Sequence, residues 1–189
     1  MKEFVAFLLI RVYNSKTILD EIILSAFDKT VADVQYHFPN LSTADIETSI
    51  KSNSNELAIF LYRLGNEIHK HGLEELKPQI HWLLKELCCC EIYFNNIIDV
   101  GFYIVHGQGT IIGSRNTIGK GFIVHQGCTI GHKKNGHGDG NKIGNNVTIY
   151  CNSSIIGELT IGDNVIIGAH LLINKDISDN KIITINTLN

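Results

Sequence analysis

The chain has little of most things that would classify it by composition. Its 189 residues include two prolines, one methionine and one tryptophan, and only 19% are charged. A net charge of −3 and a pI near 6.3 give no basic field for a nucleic acid partner. The five cysteines show no CxxC spacing, and three of them, Cys88, Cys89 and Cys90, are adjacent. Adjacent cysteines cannot all bridge one another or chelate one ion. Buried, reduced thiols in a cytoplasmic protein are therefore expected, with no metal. The N-terminal apolar stretch runs only from Phe4 to Ile10 before Arg11. It is too short to span a membrane and lacks a small-residue cleavage site, so an amphipathic first helix is expected. A hydrophobic fraction of 44% excludes general disorder.

Glycine is present but unevenly placed. Of 17 glycines only Gly65 and Gly72 precede residue 97, whereas Pro39, Pro78 and 22 of the 35 charged residues do. Two architectures share the chain. In the first half Leu57, Phe60, Leu61, Leu64 and Ile68 follow the three-and-four spacing of one helical face. Ser54 is a plausible N-cap and Gly72 a plausible C-terminal stop. A further helix is expected from Pro78 through Ile80, Leu83, Leu84 and Leu87. Residues 3–13 and 17–27 can form two earlier helices, and Ser42-Thr43-Ala44-Asp45 resembles a capping box. His69 and His71 read as favourable helix-end residues, and nothing in this half looks catalytic.

The second half repeats every six residues. Ile112, Ile118, Val124 and Ile130 form one run, and Ile143, Ile149, Ile155, Ile161, Ile167 and Ile173 another. Ile98 and Ile104 fit the same step, with two extra residues before Ile112. Glycine follows the aliphatic residue at Gly113, Gly119, Gly131, Gly144, Gly162 and Gly168. A helix would not tolerate such glycine density, and an alternating strand has period two. The pattern predicts a parallel β-helix in which the aliphatic residues stack into a central column. The fold class is thus α+β, with a helical domain over residues 1–90 and a β-helix domain over 91–189. Residues 131–142 are expected to protrude as a polar loop, on a side that solenoids often use for binding. The tail after Ile173 departs from the repeat and is expected to cover the far end or pack on a neighbour.

This arrangement resembles the serine acetyltransferases, among the hexapeptide-repeat acyltransferases. Tyr62-Arg63-Leu64-Gly65 is similar to the family's Tyr-Arg-Ile-Gly stretch, and Glu91-Ile92 stands where the family has Asp-Ile. Gly101 to His106, with Gly107, Gly109 and Ile112-Gly113, is similar to its segment around the catalytic histidine. Gln126 to Gly131 and the glycine-rich loop to Lys142-Ile143 match as well. The resemblance implies a left-handed β-helix, a homotrimer or dimer of trimers with active sites between subunits, and acetyl-CoA as donor. It implies His106 as general base and Glu91 as the acid that orients its ring, since a hydroxyl needs its proton removed as it attacks a thioester. From the residues alone a histidine in a repeat is ordinarily structural; the two-residue insertion at His106 favours function.

Two departures bear on the acceptor. The family's Asp before the histidine, which contacts substrate serine, is Val105 here. Its loop Arg and His have no counterpart in register within Gly138 to Lys142. His137, His132, Asp139 and Lys142 are then the candidates for acceptor binding. Lys133, Lys134, Gly131 and Gly168 are the candidates for holding CoA, with the lysines suited to its phosphates. A Gly-Val-Pro-Ala segment that helps hold CoA in the family is absent. The expected function is acetyl transfer to a sugar hydroxyl of a surface or capsular polysaccharide or its precursor, with L-serine as the alternative acceptor. More remote are a non-catalytic trimer and a zinc hydratase using His106, His125, His132 and His137. No nucleic acid partner and no membrane span are expected.

Overall fold

A computed structural model describes residues 1–134 and 137–187. The described residues form five α-helices: α1 Lys2–Leu9, α2 Asp20–His37, α3 Thr43–Ser52, α4 Ser54–Lys70 and α5 Lys77–Cys88. The capping box of α3 forms as the sequence predicts. Ser42 Oγ accepts from the Asp45 N–H at 3.2 Å, and the Ser42 N–H donates to Asp45 Oδ2 at 3.2 Å. Helix α4 is capped by Asn53 rather than Ser54, because the Asn53 side chain takes the Asn55 N–H at 2.9 Å. Helix α1 stops at Leu9, short of the expected residue 13, and α2 runs ten residues past the expected end. The buried face of α2 keeps its helical spacing through Thr30, Asp33 and Val34. Two of those three residues are polar, so the apolar pattern that marks a helix fades before the helix does.

From Glu91 onward the chain winds into a parallel β-helix with three sheets for walls. The first wall stacks Glu91–Ile92, Ile111–Ile112, Thr129–Gly131, Ser154–Ile156 and Leu172–Ile173. The second stacks Ile97–Ile98, Thr117–Ile118, Lys142–Ile143 and Thr160–Ile161. The third stacks Tyr103–Val105, Ile123–His125, Thr148–Ile149, Ile166–Ile167 and Ile182–Ile183. In each wall one residue per strand points into the coil: Ile112, Ile130 and Ile155 on the first, Ile118 and Ile143 on the second, Val124 and Ile149 on the third. The six-residue step is therefore one wall of a triangular coil.

The column is longer than its period. Ile92 begins it before Ile98. The tail expected to depart from the repeat instead adds another turn, as Ile177 bridges Ile161 and Ile182–Ile183 pair with Ile166–Ile167. The step from Ile173 to Ile177 is four residues rather than six, and this shortened corner hides the last turn from a periodic reading.

Asparagines fix the corners. At one edge Asn146, Asn164 and Asn180 take positive φ, and each of the first two donates its side-chain amide to the next, at 3.2 and 3.0 Å. Asn tolerates this left-handed conformation better than other side-chain-bearing residues. At another edge the buried side chains of Asn96, Asn116 and Asn141 form a ladder of 2.8–3.0 Å hydrogen bonds that also caps the turns' N–H groups.

The Tyr62 to Gly65 stretch on α4 joins the helices to the coil. Arg63 Nε and Nη2 donate to Asp33 on α2 at 2.6 and 2.7 Å, while Nη1 and Nη2 donate to the carbonyls of Ile98 and Asp99 at 2.7 and 2.9 Å. Asp33 Oδ1 also accepts the N–H groups of Gly101 and Phe102. Burial pushes the Asp33 carboxyl up, and the Arg63 guanidinium and those two backbone N–H groups pull against that push. Tyr62 and Asn66 donate to the Asn96 carbonyl. At Gly65 any Cβ would run into the Phe94 ring, so this helical glycine is a contact site rather than a weakness.

Arg63→Met should destabilise the fold by about 3–5 kcal/mol, because it leaves Asp33 buried without its cation. Urea denaturation checks this, and adding Asp33→Leu should recover part of the loss. A second outcome concerns pH. Glu67 on α4 is buried, which alone would raise its carboxyl, but hydrogen bonds from Lys29 and Ser25 hold it at about 2. Its contribution is present above its unfolded value of 4.5 and lost as pH falls toward about 2. The acid limb of a denaturation-versus-pH curve should therefore flatten in Glu67→Gln.

Candidate active site

The corners between the third and first walls are short except one. Ile104 to Ile112 takes eight residues where Val124 to Ile130 takes six. The extra pair bulges the chain at His106, which has φ +53°. A histidine in this left-handed region is strained by roughly 1–3 kcal/mol, a cost that recurs at functional sites. Its ring is exposed, and none of the described residues hydrogen-bonds it.

The bulge is fixed from both sides. Below it, the Gly109 N–H donates to the Cys89 carbonyl at 2.8 Å and the Glu91 N–H to the Thr110 carbonyl at 2.9 Å. From the helices, Asn55 Oδ1 accepts the Gly107 N–H at 3.1 Å. The next residue, Glu56, is 7% exposed and turns its carboxylate toward the Tyr103 hydroxyl at 3.5 Å. Tyr103 in turn packs edge-on against Phe38, with ring centroids 5.4 Å apart, and tilts against His37 at the same distance.

Glu91 sits under this corner, but its carboxylate pairs with Lys85 at 2.8 Å and makes no described contact with His106. The nearer histidine is His125, whose strand position pairs with Val105. Burial and the proximity of His106 hold the His125 imidazole below its usual value, and the ring stacks on Tyr150 at 4.7 Å.

The other expected site residues lie at a different edge. The loop leaves the first wall at Gly131 and returns to the second at Lys142, whereas His106 lies between the third wall and the first. Within one chain, therefore, His132, His137, Asp139 and Lys142 do not converge on His106. His132 folds back, its Nε2 hydrogen-bonding to the Ser114 carbonyl at 2.8 Å while its Nδ1 is buried without a partner. His137, Asp139, Lys142, Lys133 and Lys134 are exposed, and the Lys pair has no ion-pair partner among the described residues. Asn135 and Gly136 of the loop lie outside the described residues. Arg115 donates Nε to the Gly138 carbonyl at 3.0 Å and so puts a guanidinium at the loop. Gly168 spends both backbone groups inside the coil, donating to the Ile183 carbonyl and accepting from Ser153 Oγ. Among the described residues of one chain no three His, Cys, Asp or Glu are grouped to hold a metal ion. Nor is any helix of the described residues long and apolar enough to cross a membrane.

Asn55, Glu56 and Arg115 carried no sequence signal. Asn55 and Glu56 read as an ordinary helix first turn, and Arg115 as one exposed residue of a corner.

Known proteins share both the pattern and the shape. Residues 142–175 match the bacterial transferase hexapeptide family (six repeats). A serine acetyltransferase of Helicobacter pylori is 28% identical over 121 residues, covering 64% of this chain and 71% of that protein. One from Staphylococcus epidermidis is 30% identical over 124 residues, 57% of its length. The crystal structure of the Neisseria gonorrhoeae serine acetyltransferase superposes with a TM-score of 0.73 at 22% identity, over 87% of this chain and 64% of that one. Repeat, sequence likeness and three-walled coil agree. The chain carries the bacterial transferase hexapeptide repeat and is similar in sequence to the serine acetyltransferases, whose fold it shares.

Proposed function

We propose that the protein is an acetyl-CoA-dependent serine O-acetyltransferase. The observation that carries the reading is His106, an exposed imidazole with no hydrogen bond from the described residues, held in a strained bulge of an otherwise regular coil. Such a ring is free to take a proton. As the serine hydroxyl oxygen attacks the thioester carbonyl, His106 accepts its proton; the C–S bond then breaks and His106 returns the proton to the departing CoA sulfur. Backbone N–H groups of the coil corners are the candidates for holding the oxyanion. Glu91 is the candidate for orienting the ring, with one of its carboxylate oxygens, Oε2, paired to Lys85.

Serine replaces the sugar hydroxyl expected from the sequence. The lost Asp and Arg argued against an amino acid acceptor, but the relatives that match are named serine acetyltransferases. The structure also offers Arg115 at the loop as a fork for a carboxylate. For the donor, Lys133 and Lys134, which have no ion-pair partner among the described residues, suit the phosphates of CoA. Gly168 can contribute only its lack of a side chain, since a Cβ there would stand 3.0 Å from the Ile183 carbonyl.

His106 and the loop occupy different edges of one coil, so we place the site between two subunits of a homotrimer, one giving the His106 corner and its neighbour the loop. A cytoplasmic setting suits five cysteines that form no disulfide.

Thiol release from acetyl-CoA, measured with L-serine and with a panel of sugars, tests the reading. Serine should be the preferred acceptor, and His106→Ala should lower kcat by about 10²–10⁴-fold. Turnover on a sugar but not on serine, or full activity in His106→Ala, would overturn it.

A further inference from the structure

Among the described residues, Glu56 is the one buried acid with no basic side chain paired to it. Asp33 is matched by Arg63, and Glu67 by Lys29, Ser25 and Lys70. Glu56 is as well covered, at 7% exposed, yet no basic side chain among the described residues pairs with it. Its Oε2 is buried without a partner, and the carboxylate has only its own backbone N–H and the 3.5 Å contact from Tyr103. A carboxylate kept this way costs free energy unless something charged completes it. An acid in the first turn of a helix can favour the helix dipole from the surface, so that benefit does not require burial.

Its position says what completes it. Asn55, one residue earlier, holds the Gly107 N–H, and Tyr103 lies three residues before His106 on the strand that leads into the bulge. Tyr103 and Val105 face the same side of that strand, as alternate residues do. Glu56 therefore lies beside the strand that ends at Val105, where the chain has an apolar residue instead of an acid, next to the residue that holds the bulge of the proposed base.

We infer that Glu56 binds the acceptor's ammonium group, supplying from α4 the carboxylate missing at position 105. The inference rests on the serine reading above. It makes Glu56 a specificity residue: it selects acceptors that carry a positive nitrogen next to the reacting hydroxyl. Burial holds its carboxyl above the usual range in the absence of a cation, as fits a group awaiting one.

The test uses the full-length protein, with acetyl-CoA, L-serine, and 3-hydroxypropionate, which has the hydroxyl and carboxylate of serine but no amino group. In Glu56→Gln the KM for L-serine should rise roughly 10- to 100-fold, the range for losing a hydrogen bond to a charged partner. Competitive inhibition by 3-hydroxypropionate should stay within about twofold, because it offers no ammonium to lose. Adding Val105→Asp should restore part of the serine affinity by returning a carboxylate to the same place. A serine KM unchanged in Glu56→Gln, or an equal loss for both ligands, would overturn the inference and leave the serine reading standing. Absence of serine turnover in the unaltered protein would remove both. If Glu56→Gln does not fold, Glu56→Asp decides on the same ratio, with a severalfold selective loss expected.

Discussion

A guanidinium buried between helices and a coil must have its N–H groups met, because water cannot meet them. Arg63 meets this demand with four hydrogen bonds, two to Asp33 on α2 and two to carbonyls of the second coil corner. Asp33 then turns back to the backbone N–H groups of Gly101 and Phe102. Three segments distant in sequence are thus fixed by one ion pair whose partners cannot be separated cheaply. The consequence for chemistry is direct. Phe102 leads into Tyr103–Val105 and His106, so the pair that seats α4 on the coil also sets the height at which Asn55 and Glu56 meet the bulge.

The coil supplies the complementary constraint. Many corners hold a residue in the left-handed region, most of them Gly or Asn, and at one edge the Asn side chains also bond the next turn. Regularity of this kind spends backbone groups inside the coil; Gly168 illustrates it, with donor and acceptor both used there. A site in such a scaffold has to come from an interruption. This chain has two insertions, the bulge at His106 and the loop after Gly131, and both carry polar residues.

The sequence discloses these features to different depths. The six-residue column was legible from Ile98 to Ile173 because its signal is one aliphatic residue at a fixed step. It ended where the step changed to four at Ile177, although the coil did not. Helix α2 was half legible, since Thr30 and Asp33 put polarity on its buried face. Asp33 was invisible as a partner because nothing local links it to Arg63, 30 residues away. His106 could be found because it breaks a period. Glu56 could not, since an acid at a helix start is common and only three-dimensional burial makes this one unusual.

The geometry also bears on why assembly and chemistry are joined. A triangular coil has three edges, and residues on different edges face away from each other however mobile their side chains are. His106 lies on one edge, while Arg115, His137 and Lys142 lie on or beside another. Threefold packing of coils brings unlike edges together, so the His106 corner of one copy can face the loop of the next. Helix α4 adds the third element from within the same chain, because Asn55 and Glu56 accompany His106 through the Arg63 lock whatever the oligomer does. The proposed site then divides its labour. The base and the ammonium contact belong to one subunit and are set by folding, whereas the carboxylate and CoA contacts come from the neighbour and exist only on association.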